Sequence, residues 1–272
     1  MKFLLCLSLS LIVLFAEERG CFVDENSQNI IFVKDGETKS LGLKEKIYKD
    51  QRCAFDESSF YVANLNNEIV KVASEKEFLF ALPNVGCKVS NILLDKEKIY
   101  VACDMANVVT IAIFDKSSKK FISKNFNNVY KISSFLPLSE GVFFTSFNGK
   151  AFLLDSKLNA KEQKSVGFAP ISACKFSDNE IFIGFRNGEI LDLKSGAKKQ
   201  VLRSKISALA CAGDEVLVAG EDGVIYKFDK SFKLKGKKEL FSGEIKEIFI
   251  DKNVLVGVDL SNKIKSLEIN SF

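Results

Sequence analysis

Runs of β-branched and aromatic residues, broken by short polar stretches, recur along the chain six times in nearly the same order. The copies read Phe60-Tyr-Val-Ala-Asn-Leu-Asn-Asn-Glu-Ile-Val-Lys-Val72, Ile99-Tyr-Val-Ala-Cys103, Val142-Phe-Phe-Thr-Ser-Phe-Asn-Gly-Lys-Ala-Phe-Leu-Leu-Asp155, Ile181-Phe-Ile-Gly-Phe-Arg-Asn-Gly-Glu-Ile-Leu-Asp-Leu193, Val216-Leu-Val-Ala-Gly-Glu-Asp-Gly-Val-Ile-Tyr-Lys-Phe-Asp229 and Val254-Leu-Val-Gly-Val258. The third residues of the copies, Val62, Val101, Phe144, Ile183, Val218 and Val256, are spaced by 39, 43, 39, 35 and 38 positions. Each copy is preceded by another alternating segment, such as Ile171-Ser-Ala-Cys-Lys-Phe176 or Ile206-Ser-Ala-Leu-Ala-Cys211. Short polar turns such as Asp95-Lys-Glu-Lys98 separate the two, and Asn148-Gly149, Asn187-Gly188 and Asp222-Gly223 follow the apolar run. Those dipeptides are strong two-residue hairpin signals, and they predict type I′ turns with both central residues at positive φ.

A repeat near 40 residues built of strands is the sequence signature of propeller blades. The expected fold is therefore all-β, a single propeller over residues 17–272 in which each blade runs inner strand, second strand, third strand and a weaker lysine-rich outer strand. Cys21 to Leu43, with Ile30-Ile-Phe-Val33, reads as a further partial blade lacking its inner strand, and the last blade lacks its outer one. Seven blades is the count this supports, closed by the two termini; six blades plus an N-terminal hairpin is the alternative.

Met1-Lys2, the apolar run from Phe3 to Phe15, Ala16 and then Glu17-Glu18-Arg19 match a secretory signal peptide over residues 1–16. The run is too short to span a bilayer, and no later segment is apolar enough to do so. The expectation is an exported, periplasmic protein with no membrane span after signal removal. Its seven cysteines include Cys6 in the signal, which leaves six to pair in an oxidising compartment. Six allow many connectivities, and the repeat register singles out Cys174 with Cys211, on equivalent strands of adjacent blades and two positions apart.

Net charge is +4 and spread without a block of like charges, so nucleic acid is not an expected partner. Lysines such as those in Lys233-Leu-Lys-Gly-Lys-Lys238 read as protection of an exposed outer strand. The chain has no histidine, which excludes a Ser-His-Asp triad, and neither a C-x-x-C pair nor a D-x-D-x-D-G loop is present. No cofactor, metal or catalytic residue is expected. What remains is a ring that displays loops, and loops on a rigid scaffold are where recognition sits. The turns after the second strands share one face with the links into the inner strands, and on it stand Asn66, Asp104, Asn148, Arg186, Asn187, Glu221, Asp222 and Asp259. Arg186 is the most suggestive, because arginine is enriched at interface hot spots. Asp222 is also explained as the turn former.

The segments Ile206 to Asp229 and Ile171 to Leu193, with Val-Leu-Val-Ala-Gly-Glu-Asp-Gly followed by Val-Ile-Tyr-Lys-Phe-Asp, resemble the WD40-like and quinoprotein-like propeller superfamily. The chain departs from that pattern in having no tryptophan and no histidine, so the Trp-Asp dipeptide and the Gly-His pair are missing. In overall character it is similar to the exported accessory propellers encoded with periplasmic nitrate reductases, the NapL type. The resemblance implies a monomeric, non-catalytic accessory factor that binds a protein partner in the cell envelope, such as nitrate reductase components, in maturation or electron-transfer support. A scaffold component of outer-membrane protein assembly is the alternative.

Overall fold

The computed structural model describes residues 21–23, 29–34, 37–43, 47, 51–56, 58–83, 86–167, 169–251 and 253–272. The expected signal segment 1–16 lies outside the described residues. Strands dominate what is described, and the helical content is one 3-10 turn at Ile269–Ser271. The strands fall into seven successive antiparallel units. Unit 1 holds β1 (Cys21–Val23), β2 (Asn29–Lys34) and β3 (Glu37–Gly42), and unit 2 holds β4 (Arg52–Phe55), β5 (Phe60–Ala63), β6 (Glu68–Val72) and β7 (Lys76–Ala81). Unit 3 follows with β8 (Lys88–Leu94), β9 (Lys98–Met105), β10 (Val108–Asp115) and β11 (Lys120–Asn127), and unit 4 with β12 (Ile132–Leu138), β13 (Gly141–Ser146), β14 (Lys150–Asp155) and β15 (Ala160–Ser165). Unit 5 comprises β16 (Pro170–Ser177), β17 (Glu180–Phe185), β18 (Glu189–Asp192) and β19 (Lys198–Gln200), and unit 6 β20 (Ile206–Ala212), β21 (Glu215–Gly220), β22 (Val224–Asp229) and β23 (Leu234–Glu239). Unit 7 has three strands, β24 (Ile245–Asp251), β25 (Val254–Asp259) and β26 (Ile264–Glu268).

The second strands are apolar without alternation because both of their faces are covered. Val216 and Val218 of β21 pack toward unit 5 while Leu217 and Ala219 pack toward unit 7, and all four are fully buried. Burial of Val216, Leu217 and Val218 contributes roughly 1.5–3 kcal/mol each. The same two-faced packing gives one apolar cluster between each pair of successive units, from units 1 and 2 through units 6 and 7. A seventh cluster joins Phe249, Val256 and Val258 of unit 7 to Ile31 of unit 1. Strand β2 alternates accordingly, with Ile30 and Phe32 against unit 2 and Ile31 against unit 7. The outer strands β11, β15, β19 and β23 are exposed along most of their length and carry the lysines.

Units 1 to 3 are also joined edge to edge in one curled sheet, in which β4 runs parallel to β8 and β1 runs antiparallel to β4. β1 thus lies beside β4, between it and β2, but runs opposite to β4 and β8.

The hairpins after the second strands differ from the expected type I′ geometry. Gly149, Gly188 and Gly223 have φ of 80°, 84° and 79°, whereas Asn148, Asn187 and Asp222 do not have positive φ. The amides of these glycines donate to Ser146, Phe185 and Gly220, so the polar residue closes an ordinary turn and the glycine alone is left-handed. Its missing side chain also leaves room for the next link: a Cβ on Gly223 would stand 2.1 Å from the Phe241 carbonyl oxygen.

Three disulfides are present, Cys21–Cys53, Cys87–Cys103 and Cys174–Cys211, which points to an oxidising, exported environment. Cys174 and Cys211 sit one register position apart, not two, because Pro170 and not Ile171 is the counterpart of Ile206. No helix among the described residues is long and apolar enough to cross a membrane.

Candidate functional site

The inner strands of units 2 to 7 face a cavity of about 460 Å³. Its wall is shaped by a repeated irregularity. In units 3 to 7 the inner strand shifts register by one residue near its start, at Ser90, Ser133, Ile171, Ser207 and Lys246, and all five line the cavity. A bulge adds one residue to one strand and re-aims its side chain, here toward the cavity. Where the extra residue is serine, its hydroxyl bonds back to the second strand: Ser90 Oγ donates to the Ala102 carbonyl at 3.4 Å and Ser207 Oγ to that of Ala219 at 3.1 Å. Ser133 Oγ pairs with Thr145 Oγ1 at 2.8 Å.

Cations dominate the lining. Arg52, Lys131, Arg186, Lys205 and Lys246 come from five different units, against the carboxylates of Glu244 and Glu247. Arg52 is paired with Glu247 and Lys205 with Glu244. Lys131 Nζ lies 5.6 Å from the centre of the Phe147 ring. The guanidinium of Arg186 has no carboxylate partner among the described residues, and its backbone N–H donates to Ala169 at 3.1 Å. Beside this wall Asp104 is half-buried and accepts from the Ile132 N–H at 3.0 Å. Burial pushes its carboxyl above the ordinary range, against the opposing pull of that N–H, Ser90 and Lys131.

All eight residues expected to form a recognition face lie at one end of the units, where the second strands turn back. The turns are tied to the links that feed their own inner strands: Phe147 N–H donates to Lys131, Arg186 to Ala169 and Glu221 to Lys205. Arg186 alone of the eight lines the cavity. Several of the others are engaged locally. Asn148 donates to the Asn128 carbonyl and accepts from Ser146, and Asn187 bonds Glu189 through both ends of its amide. Asp222 takes the Val224 N–H and the Tyr226 hydroxyl, whose pKa that bond, with burial, raises to about 12. Asp259 accepts the N–H groups of Ser261 and Lys263. Asn66 and Glu221 are exposed.

Four exposed apolar side chains share this end, Leu65, Met105, Tyr130 and Leu260, the last 65% exposed and at the cavity. They, and the cavity residues Arg52, Lys131, Lys205 and Lys246, are not among the expected site residues. A signal for the cavity does exist in the sequence. Buried apolar residues at the starts of inner strands are three apart, as in Val89 and Ile92, Ile132 and Phe135, Ile206 and Leu209, and Ile245 and Ile248. In a strand of period two, that spacing marks a phase slip. Among the described residues no three His, Cys, Asp or Glu side chains gather as a metal-holding group.

No family model matches the chain, and no curated protein matches it. Among solved structures the chain is similar to the computationally designed Ika8 protein, with a TM-score of 0.62 over 89% of this chain and 80% of that one. At 13% identity the likeness is one of fold.

Proposed function

We propose that the chain is an exported, periplasmic, seven-bladed propeller that acts without catalysis as a protein-binding accessory factor. Closure into a ring is supported by β2, which lies between units 2 and 7, and by the inner strands of six units around one cavity. The three disulfides and the leader-like N-terminal sequence support export. The observation that carries the binding role is the end where the second strands turn back: there, exposed Leu65, Met105, Tyr130 and Leu260 surround a cation-lined opening. Exposed apolar groups beside exposed cations are what a protein interface uses for affinity and orientation. The sequence resemblance to accessory propellers of periplasmic nitrate reductases makes components of such an enzyme the first partners to test.

The test is capture of those components by the immobilised ring. Arg186→Glu combined with Glu221→Lys should abolish capture and leave the melting temperature unchanged, since both side chains are exposed. Lys120→Glu with Lys237→Glu, on exposed outer strands, should retain it. Loss with the outer pair and retention with the rim pair places binding on the side of the ring and overturns the assignment.

A further inference from the structure

We propose that the cavity between the inner strands is an anion site that takes the carboxylates of an acidic, partly apolar segment of the protein partner; this rests on the binding role proposed above. The charge imbalance is the first support. Among the described lining residues there are five cations and two carboxylates, and each carboxylate is already committed, Glu247 to Arg52 and Glu244 to Lys205. Arg186 keeps no carboxylate partner among the described residues, Lys131 pulls on the half-buried Asp104 beside the wall without an ion pair to it, and cations gathered around a recess focus their field on it.

The arrangement favours a chain segment over a compact anion. The cations come from five different units, so they are distributed around the opening, and Phe147, Ile171, Val258 and Leu260 stand among them. A small dianion would meet one or two cations and leave the apolar neighbours wet. An extended segment with carboxylates at intervals and apolar side chains between them covers both. A cavity of about 460 Å³ has the size of a ligand site and admits side chains, not a folded domain. The register shifts at Ser90, Ser133, Ile171, Ser207 and Lys246 present this wall in a repeated way and make it a constructed surface.

The experiment is a fluorescence anisotropy titration of the mature protein with a labelled dodecapeptide rich in glutamate and carrying leucine at intervals, alongside the same peptide with glutamine for glutamate. The acidic peptide should bind, weaken with salt, and lose about tenfold or more in affinity both on glutamine replacement and in the Lys131→Ser, Arg186→Ser double variant. Glu244→Gln, which frees Lys205, should tighten binding several-fold, a gain that a misfolded protein cannot imitate. Equal binding of the glutamine peptide, or no response to either variant, overturns the proposal. So does glutarate displacing the peptide at equal concentration, which would make this a small-acid site. Failure of the peptide with capture of the partner intact overturns this inference and leaves the binding role standing; peptide binding without any captured partner does the reverse.

Discussion

The Arg52 guanidinium on the inner strand of unit 2 and the Glu247 carboxylate on the inner strand of unit 7 form an ion pair that joins these two units directly. Residues 195 positions apart in sequence are thereby held together at the cavity wall. The Arg52 side chain is 44% exposed and that of Glu247 17%, so solvent screens the pair on one side only. A double-mutant cycle of Arg52→Ala and Glu247→Ala, followed by denaturant unfolding, should give a coupling of about 1 kcal/mol. Zero coupling would show that units 2 and 7 do not meet there.

Gly223 tests the hairpin geometry. With φ of 79° and the Phe241 carbonyl oxygen 2.1 Å from where a Cβ would stand, Gly223→Val combines strain with a clash against backbone, and should cost about 3 kcal/mol or more. Gly213 also has positive φ, 56°, but nothing within 4 Å of its would-be Cβ. Gly213→Ala should therefore cost only about 1 kcal/mol, from conformation alone. Equal thermal shifts for the two variants would mean that the link from Phe241 does not pack on that turn.

The repeat was legible because a second strand buried on both faces has to be apolar at every position, and Val216 to Ala219 or Ile181 to Phe185 stand out from any local background. The partial unit around Ile30 was legible for the same reason. The turn residues were found, but their conformation was not, since Asn-Gly and Asp-Gly suit both a type I′ turn and a turn ended by a left-handed glycine. The eight rim residues do lie together at one end of the units, and the sequence favours Arg186 over Asn187 by residue type alone. Only the structure shows Asn187 tied to Glu189 while Arg186 lines the cavity. The cavity cations were missed because Arg52, Lys131, Lys205 and Lys246 lie on or before inner strands, where exposure toward the cavity depends on the approach of units far apart in sequence and, for Lys246, on a one-residue bulge.

Asp104 carries a pH dependence whose sign follows from its surroundings. Burial raises its carboxyl pKa in the folded state, so the folded form resists ionisation and loses stability relative to the unfolded chain as pH rises past the ordinary aspartate value of 3.8. Asp104→Asn keeps an acceptor for the Ile132 N–H without the buried charge. The variant should be more stable than the parent at pH 7, and the gain should vanish below about pH 4, where the unfolded aspartate is itself protonated. A variant less stable at pH 7 would mean that the charge is held by the nearby cations more strongly than burial opposes it.

The disulfide between Cys174 and Cys211 closes a loop of sequence separation 37 and links the inner strands of units 5 and 6, whereas Cys87–Cys103 closes one of 16 within unit 3. Chain-entropy arguments give the longer loop about 4 kcal/mol and the shorter about 3 kcal/mol. The longer bridge also joins two units that already share an apolar cluster and the Leu209 N–H to Ser172 hydrogen bond, 3.0 Å. Replacing both cysteines of that pair by alanine should therefore lower stability by about 2–4 kcal/mol while leaving the two units packed. Replacing Cys87 and Cys103 should cost slightly less, because the smaller loop constrains the unfolded chain less. Denaturant midpoints measured with and without reductant check both statements: the variants should lose the reductant sensitivity that belongs to the bridge each lacks. A Cys174→Ala, Cys211→Ala protein with the parent's midpoint would show that the contact between units 5 and 6 is maintained by packing alone.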